Sequence, residues 1–145
     1  MATVEYNELI DNPADQAWKV LRQFGGIAQW HPGITRSQIE GELADDTVGA
    51  IRRLELADGG IIRERLLSLS DSGRTLSYTF EQSPLPLDNY QAQVKVVQTA
   101  TASQCAVHWS ATFDVRDPGA DAHYETLITG LIVDGHLGLV RMLQQ

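Results

Sequence analysis

The chain has 145 residues, 43% hydrophobic and 21% charged, which fits a globular domain and excludes disordered and fibrous classes. Eleven basic against nineteen acidic side chains give a net charge of −8, which argues against nucleic acid as a partner. A single cysteine, Cys105, excludes internal disulfides and cysteine-rich zinc sites and points to a reducing, cytoplasmic setting.

No apolar stretch runs for the roughly 18 positions of a membrane helix, so stable membrane insertion is not expected. Met1–Tyr6 lacks the basic and apolar regions of a signal peptide. At this length folding hides roughly 70% of the unfolded surface, enough for a core without metal or disulfide. Residues 1–145 read as a single domain.

Thr3–Ile10 is extended in character. Asn12-Pro13 predicts a helix start, with Asn12 as N-cap and Pro13 in the first helical position. Ala14, Trp18, Leu21 and Phe24 recur at three- or four-residue steps, so this helix is amphipathic and ends at Gly25-Gly26. A further short helical turn fits Ile27–Trp30 before Pro32-Gly33.

The period then changes to two. Strands are predicted over 34–42, 48–56, 61–69, 75–82, 89–97 and 104–115, separated by turn-like Asp, Gly, Pro and Ser residues. Such short connections require antiparallel neighbours. Tyr90, Ala92, Val94 and Val96 share one face, as do Cys105, Val107, Trp109, Ala111, Phe113 and Val115, so one side of the sheet is covered.

The covering element is a long C-terminal helix from about residue 119 to 143, with Tyr124, Leu127, Ile128, Leu131, Leu139 and Met142 as its apolar stripe. Gly135 and Gly138 fall on that stripe, and each costs roughly 1 kcal/mol relative to alanine in a helix interior. Two readings stand: close packing of helix against its neighbours, or volume left vacant for a cavity opposite Tyr90 and Trp109.

The order β–α–α–β6–α resembles the helix-grip fold of the START/Bet v 1-like (SRPBCC) superfamily. Carrying segments are 12–18 (NPADQAW), 30–33 (WHPG), 63–66 (RERL), 85–90 (LPLDNY) and Trp109 to Val115. Locally the chain is most similar to polyketide cyclase/dehydrase-type lipid-binding proteins and to the plant abscisic acid receptors. The resemblance implies an α+β fold in which a curved antiparallel sheet of about seven strands grips the last helix. It also implies binding of a small hydrophobic or amphipathic ligand (lipid, polyketide-like or aromatic) in an internal cavity. The alternative it carries is a cyclase or dehydratase acting on such a ligand. By position, the receptors' gate and latch correspond to residues 57–60 and 83–87, loops through which a regulatory partner or a second copy could read cavity occupancy. A pocket carboxylate of that family falls on Glu64 and a pocket tyrosine on Tyr90. The receptors' ligand-pairing lysine falls on His31, a second pocket glutamate on Trp109, and the last helix's pocket asparagine near Gly135. The polar contacts are thus rewritten, and the plant hormone is not the expected ligand.

The residues themselves point to a site. A hairpin turning at Asp58-Gly59-Gly60 pairs Leu56 with Ile62 and Leu54 with Glu64, which puts Arg52 and Glu64 on one apolar face within diagonal reach. Buried charges need partners, and the pair could orient a polar ligand head. A purely structural ion pair, or a register that exposes one member, remains the competing reading. An arginine neighbour favours the ionised form of Glu64 and lowers its pKa. His31 is a candidate donor, acceptor or acid/base group, or else a histidine satisfied by backbone. Tyr78, Phe80, Tyr90, Trp109 and Phe113 on inner strand faces, with Leu131 and Gly135 from the helix, are core or cavity lining. His108 reads as solvated, and His123 and His136 are too far apart along their helix to chelate. No metal, nucleotide or serine-nucleophile motif is present, so no cofactor is expected and no metal site is assigned.

Overall fold

A computed structural model describes all 145 residues. The chain opens with β1 (Ala2–Ile10), followed by α1 (Ala14–Leu21) and a 3-10 helix over Phe24–Gln29. Six strands follow: β2 (Ile34–Ile39), β3 (Ile51–Leu56), β4 (Ile61–Ser70), β5 (Thr75–Gln82), β6 (Leu87–Gln98) and β7 (Cys105–Val115). The helix α2 (Asp121–Leu143) comes last. All seven strands form one antiparallel sheet in the order β1-β7-β6-β5-β4-β3-β2, and the sheet curves around α2. This is the expected helix-grip arrangement.

Local sequence explains most of it. In α1 the buried residues are Ala14, Ala17, Trp18 and Leu21, a spacing that turns one apolar stripe inward. In β6, Tyr90, Ala92, Val94 and Val96 are buried while Gln91, Gln93 and Lys95 are exposed. In β7, Cys105, Val107, Trp109, Ala111 and Phe113 are buried in the same alternation. One face of the sheet therefore supplies the core and the other meets water.

Four local expectations are corrected. The N-cap of α1 is Pro13 in an extended conformation, and the first amide is satisfied from β6, where Gln98 Oε1 accepts from Ala14 N–H at 3.1 Å. Asn12 instead donates to Gln16 Oε1 at 3.1 Å and to the Leu143 carbonyl at 3.4 Å, tying the start of α1 to the end of α2. The helix stops at Leu21, so Gly25-Gly26 lies inside the 3-10 helix rather than ending α1. β2 and β3 are six residues each, because Gly41 (φ 70°) and Gly49 (φ 96°) take left-handed conformations that break the ladder.

The fourth concerns register. Leu54 pairs with Ile62 and Arg52 directly with Glu64, two residues from the expected pairing. The turn closes one step tighter: Leu56 N–H donates to the Gly60 carbonyl at 2.9 Å, and Gly60 N–H to Asp58 Oδ1 at 2.8 Å. A shift of two leaves every side chain on its face, so the inward placement of both charged residues stands.

By length and composition α2 could cross a membrane, with a mean hydropathy of 1.4, but here it is the core helix. It buries Ile128, Gly135, His136, Gly138 and Leu139. The core divides in two: a larger cluster around Trp18, Phe24, Leu66 and Leu139, and a smaller one around Val4, Phe113 and Ile128.

Candidate functional site

Between those clusters lies a cavity of about 90 Å³, partly open to solvent, with 16 hydrophobic residues among its 21 lining residues. Of the residues singled out from sequence, His31, Arg52, Glu64, Tyr78 and Phe80 line it. So do Tyr90, Trp109, Leu131 and Gly135. Phe113 does not: it is fully buried in the smaller cluster, where its ring packs 6.0 Å from that of Tyr90. The loops 57–60 and 83–87 contribute nothing to the wall.

Arg52 and Glu64 carry the polarity. They are 4% and 6% exposed, and Glu64 Oε1 accepts from Arg52 Nε at 2.9 Å and from Nη2 at 2.8 Å. Arg52 Nη1 donates to the Phe24 carbonyl at 3.0 Å. The guanidinium is also held between two rings, 3.9 Å from Phe24 and 4.6 Å from Tyr78. Arg52 is thus clamped from every side. Glu64 Oε2, in contrast, has no hydrogen-bond partner in the protein. Burial pushes the Glu64 carboxyl above its usual range, outweighing the pull of Arg52. The lowered pKa expected from the arginine alone is corrected by that desolvation.

The tyrosines follow the same rule. Burial pushes the Tyr78 phenol up to about 12, and Tyr90 well above its ordinary value. Tyr90 stacks on Phe80 at 3.8 Å with the rings 10° apart, so its ring is fixed while its hydroxyl has no protein partner.

His31 is locked. Its Nδ1 accepts from Gly33 N–H at 3.1 Å, which leaves the proton on Nε2 to donate to the Leu131 carbonyl at 2.9 Å. Both nitrogens are used by backbone, and burial lowers its pKa. The ring reaches α2 only because residue 135 is glycine: a Cβ there would lie 2.9 Å from His31 Cδ2. At Gly138 a Cβ would overlap the Trp30 carbonyl oxygen and sit 3.0 Å from Pro32 Cδ. The two glycines form a notch for Trp30-His31-Pro32. Close packing accounts for Gly138, while Gly135 both admits the His31 ring and borders the cavity with Tyr90 and Trp109.

Among the residues that sequence reasoning passed over, two carry polar atoms at or beside the wall. His136 is 2% exposed, and its Nδ1 accepts from Trp109 Nε1–H at 3.1 Å, fixing the indole that borders the cavity. Its place next to Gly135 on the inward stripe of α2 was the available signal. Trp30 also lines the cavity, and its indole N–H is buried without an acceptor.

Both buried histidines have lowered pKa values, chiefly through desolvation. The unfolded chain then binds protons that the native state refuses, so stability is full above the ordinary value near 6.5 and falls as pH drops through the lowered ones. The slope is at most about 1.4 kcal/mol per pH unit for each histidine. Urea midpoints between pH 7.5 and 5.5 measure it, and His136→Asn should lower it. A flat profile in a Glu64→Leu background, which lacks the opposing slope of that buried carboxyl, would mean that neither ring is desolvated.

The curved sheet, gripped helix and internal cavity define a START-like domain of the helix-grip class. The chain matches the family described as polyketide cyclase/dehydrase and lipid transport over residues 1–143, and it belongs to that family. Among solved structures it is similar to protein XoxI from Bacillus cereus, at 27% identity and a TM-score of 0.86, covering 100% of this chain and 97% of that one. A START superfamily protein from Mycobacterium smegmatis is 14% identical with a TM-score of 0.83, covering 100% and 99%. Norcoclaurine synthase from Thalictrum flavum, in complex with dopamine and hydroxybenzaldehyde, is 17% identical with a TM-score of 0.78, covering 98% and 86%. The last two resemble this chain in fold alone. No curated protein matches it.

Proposed function

We propose that this protein binds a small hydrophobic or amphipathic molecule in the cavity between its sheet and α2. The observation that carries this is the combination of a mostly apolar wall with one buried ion pair, Arg52–Glu64, at its edge. Ligand sites typically join such a lining to a few polar groups that set orientation. A hydrophobic core built only for stability gains little from an ion pair at its centre, because desolvation offsets the attraction. The cytoplasm is the proposed location, in keeping with one buried thiol, Cys105, whose pKa burial raises.

Native mass spectrometry of protein purified from its host is the direct test, with a co-purified molecule as the expected result. Val94→Phe, which puts a ring into the cavity from β6, should abolish that adduct while far-UV circular dichroism stays the same. An adduct that survives this substitution would locate binding elsewhere.

One observation favours catalysis as a second reading. A buried carboxyl with a raised pKa and a free oxygen at a cavity is better matched to proton transfer near neutrality than an ordinary glutamate. The second groups at hand are poorly matched to it: His31 is committed to backbone at both nitrogens, and burial holds the Tyr90 phenol well above its ordinary pKa. Binding therefore ranks ahead of turnover. Conversion of a bound ligand over hours, lost in Glu64→Gln with affinity retained, would reverse that order.

A further inference from the structure

We infer that the ligand is a compact, uncharged hydroxyarene whose hydroxyl donates to Glu64 Oε2, rather than a fatty acyl chain or a carboxylate. This rests on the cavity-binding reading above and adds the chemical class.

Size comes first. An apolar cavity of roughly 150 Å³ takes a benzene ring, and this one, at about 90 Å³ and partly open, is of one-ring scale with small adjustments. Leu131, 37% exposed at its border, is free to provide them. A twelve-carbon chain exceeds the enclosed volume and would have to extend out through the open side.

Shape agrees with size. Tyr78, Phe80, Tyr90, Trp30 and Trp109 all face the space, and flat rings pack well against one another in offset or edge-on contact.

Charge excludes the acids. Arg52 is the cation at the site, and its guanidinium is spent on Glu64, the Phe24 carbonyl and two aromatic faces. A ligand carboxylate would meet Glu64 with no free cation to receive it. A ligand cation would meet Arg52 at the same short range. A neutral molecule avoids both penalties.

Hydrogen bonding then selects the functional group. Glu64 Oε2 is an acceptor without a donor, and Tyr90 Oη has no protein partner. A ligand hydroxyl can satisfy either one, donating to the first or accepting from the second. An arene without a hydroxyl satisfies neither, and hydrogen bonds to a charged group are the stronger kind.

The test is titration calorimetry with 4-methylphenol, toluene, benzoate and dodecanoate against the wild type, Glu64→Gln and Tyr90→Phe. The expected result is 4-methylphenol binding at least about tenfold tighter than toluene, in line with a hydrogen bond to a charged acceptor. Benzoate and dodecanoate should not bind. The preference for 4-methylphenol over toluene should shrink in Glu64→Gln and, should that variant not fold, in Tyr90→Phe. Equal affinity for toluene and 4-methylphenol, or tightest binding by benzoate or dodecanoate, overturns the class while leaving cavity binding intact. Binding by none of the four overturns the cavity reading itself.

Discussion

Gly138→Ala is expected to cost about 3 kcal/mol or more, or to prevent folding altogether. The added methyl would occupy the position of the Trp30 carbonyl oxygen, and Pro32 Cδ stands 3.0 Å away on the other side. Both obstacles are fixed: one is backbone and the other a ring. Relief would require lifting the whole Trp30-His31-Pro32 segment off α2. That would break the His31–Leu131 bond and open the wall of the cavity. Two other glycines of the same helix serve as internal controls. At Gly130 a Cβ meets nothing within contact distance, so Gly130→Ala should gain up to roughly 1 kcal/mol from helix propensity alone. Gly135→Ala falls between them, because its methyl meets the His31 ring at 2.9 and 3.2 Å, a side chain held by two hydrogen bonds. Urea denaturation of the three variants should order them Gly130→Ala, Gly135→Ala, Gly138→Ala from most to least stable. Gly138→Ala as stable as Gly130→Ala would remove the notch from the account of this fold.

That ordering also marks where sequence stopped being informative. Helical glycines at positions 135 and 138 show that something approaches closely, but not what. The occupant, Trp30-His31-Pro32, is more than a hundred residues away along the chain. Alternation in β7 fixes which face Trp109 and Phe113 share, yet one borders the cavity and the other fills a separate cluster. The cavity wall covers Tyr90 to Val94 on β6 and Leu76 to Phe80 on β5 but stops at Trp109 on β7. Period two reports the face and is silent about position along it. The Arg52–Glu64 pair was legible for the opposite reason: two charges on an inward face have few stable arrangements, and an error of two in register leaves them facing each other's strand. His31 looked like a candidate acid or base because sequence cannot reveal that backbone has taken both of its nitrogens. His136 was passed over because its partner, the Trp109 indole, arrives from β7, a different element of the fold.

The ion pair yields the other large effect. Arg52→Met should destabilise by about 3–5 kcal/mol near neutral pH, since it leaves Glu64 buried without its partner and the Phe24 carbonyl without its donor. The deficit should depend on pH in a definite direction. Burial already holds the Glu64 carboxyl above its usual range, and loss of Arg52 removes the one influence that lowers it. A glutamate with a raised folded-state pKa is protonated in the native protein at pH values where the unfolded chain has released the proton. Its native state is therefore favoured at low pH, and stability is lost as pH rises from the unfolded value near 4.3 through the raised one. The gap between Arg52→Met and wild type should narrow from pH 7 to pH 5. Both proteins carry the same buried histidines, so their contribution cancels in the difference. Replacing both charges, as Arg52→Met with Glu64→Leu, should recover most of the loss, because a well-packed apolar pair avoids desolvation entirely. The coupling between the two sites should then amount to several kcal/mol rather than the few tenths of independent positions. Additive single losses, or a gap that does not change with pH, would mean that water reaches Glu64 despite its burial. A double variant that is as stable as wild type yet has lost its preference for 4-methylphenol would assign the pair to the ligand rather than to the fold.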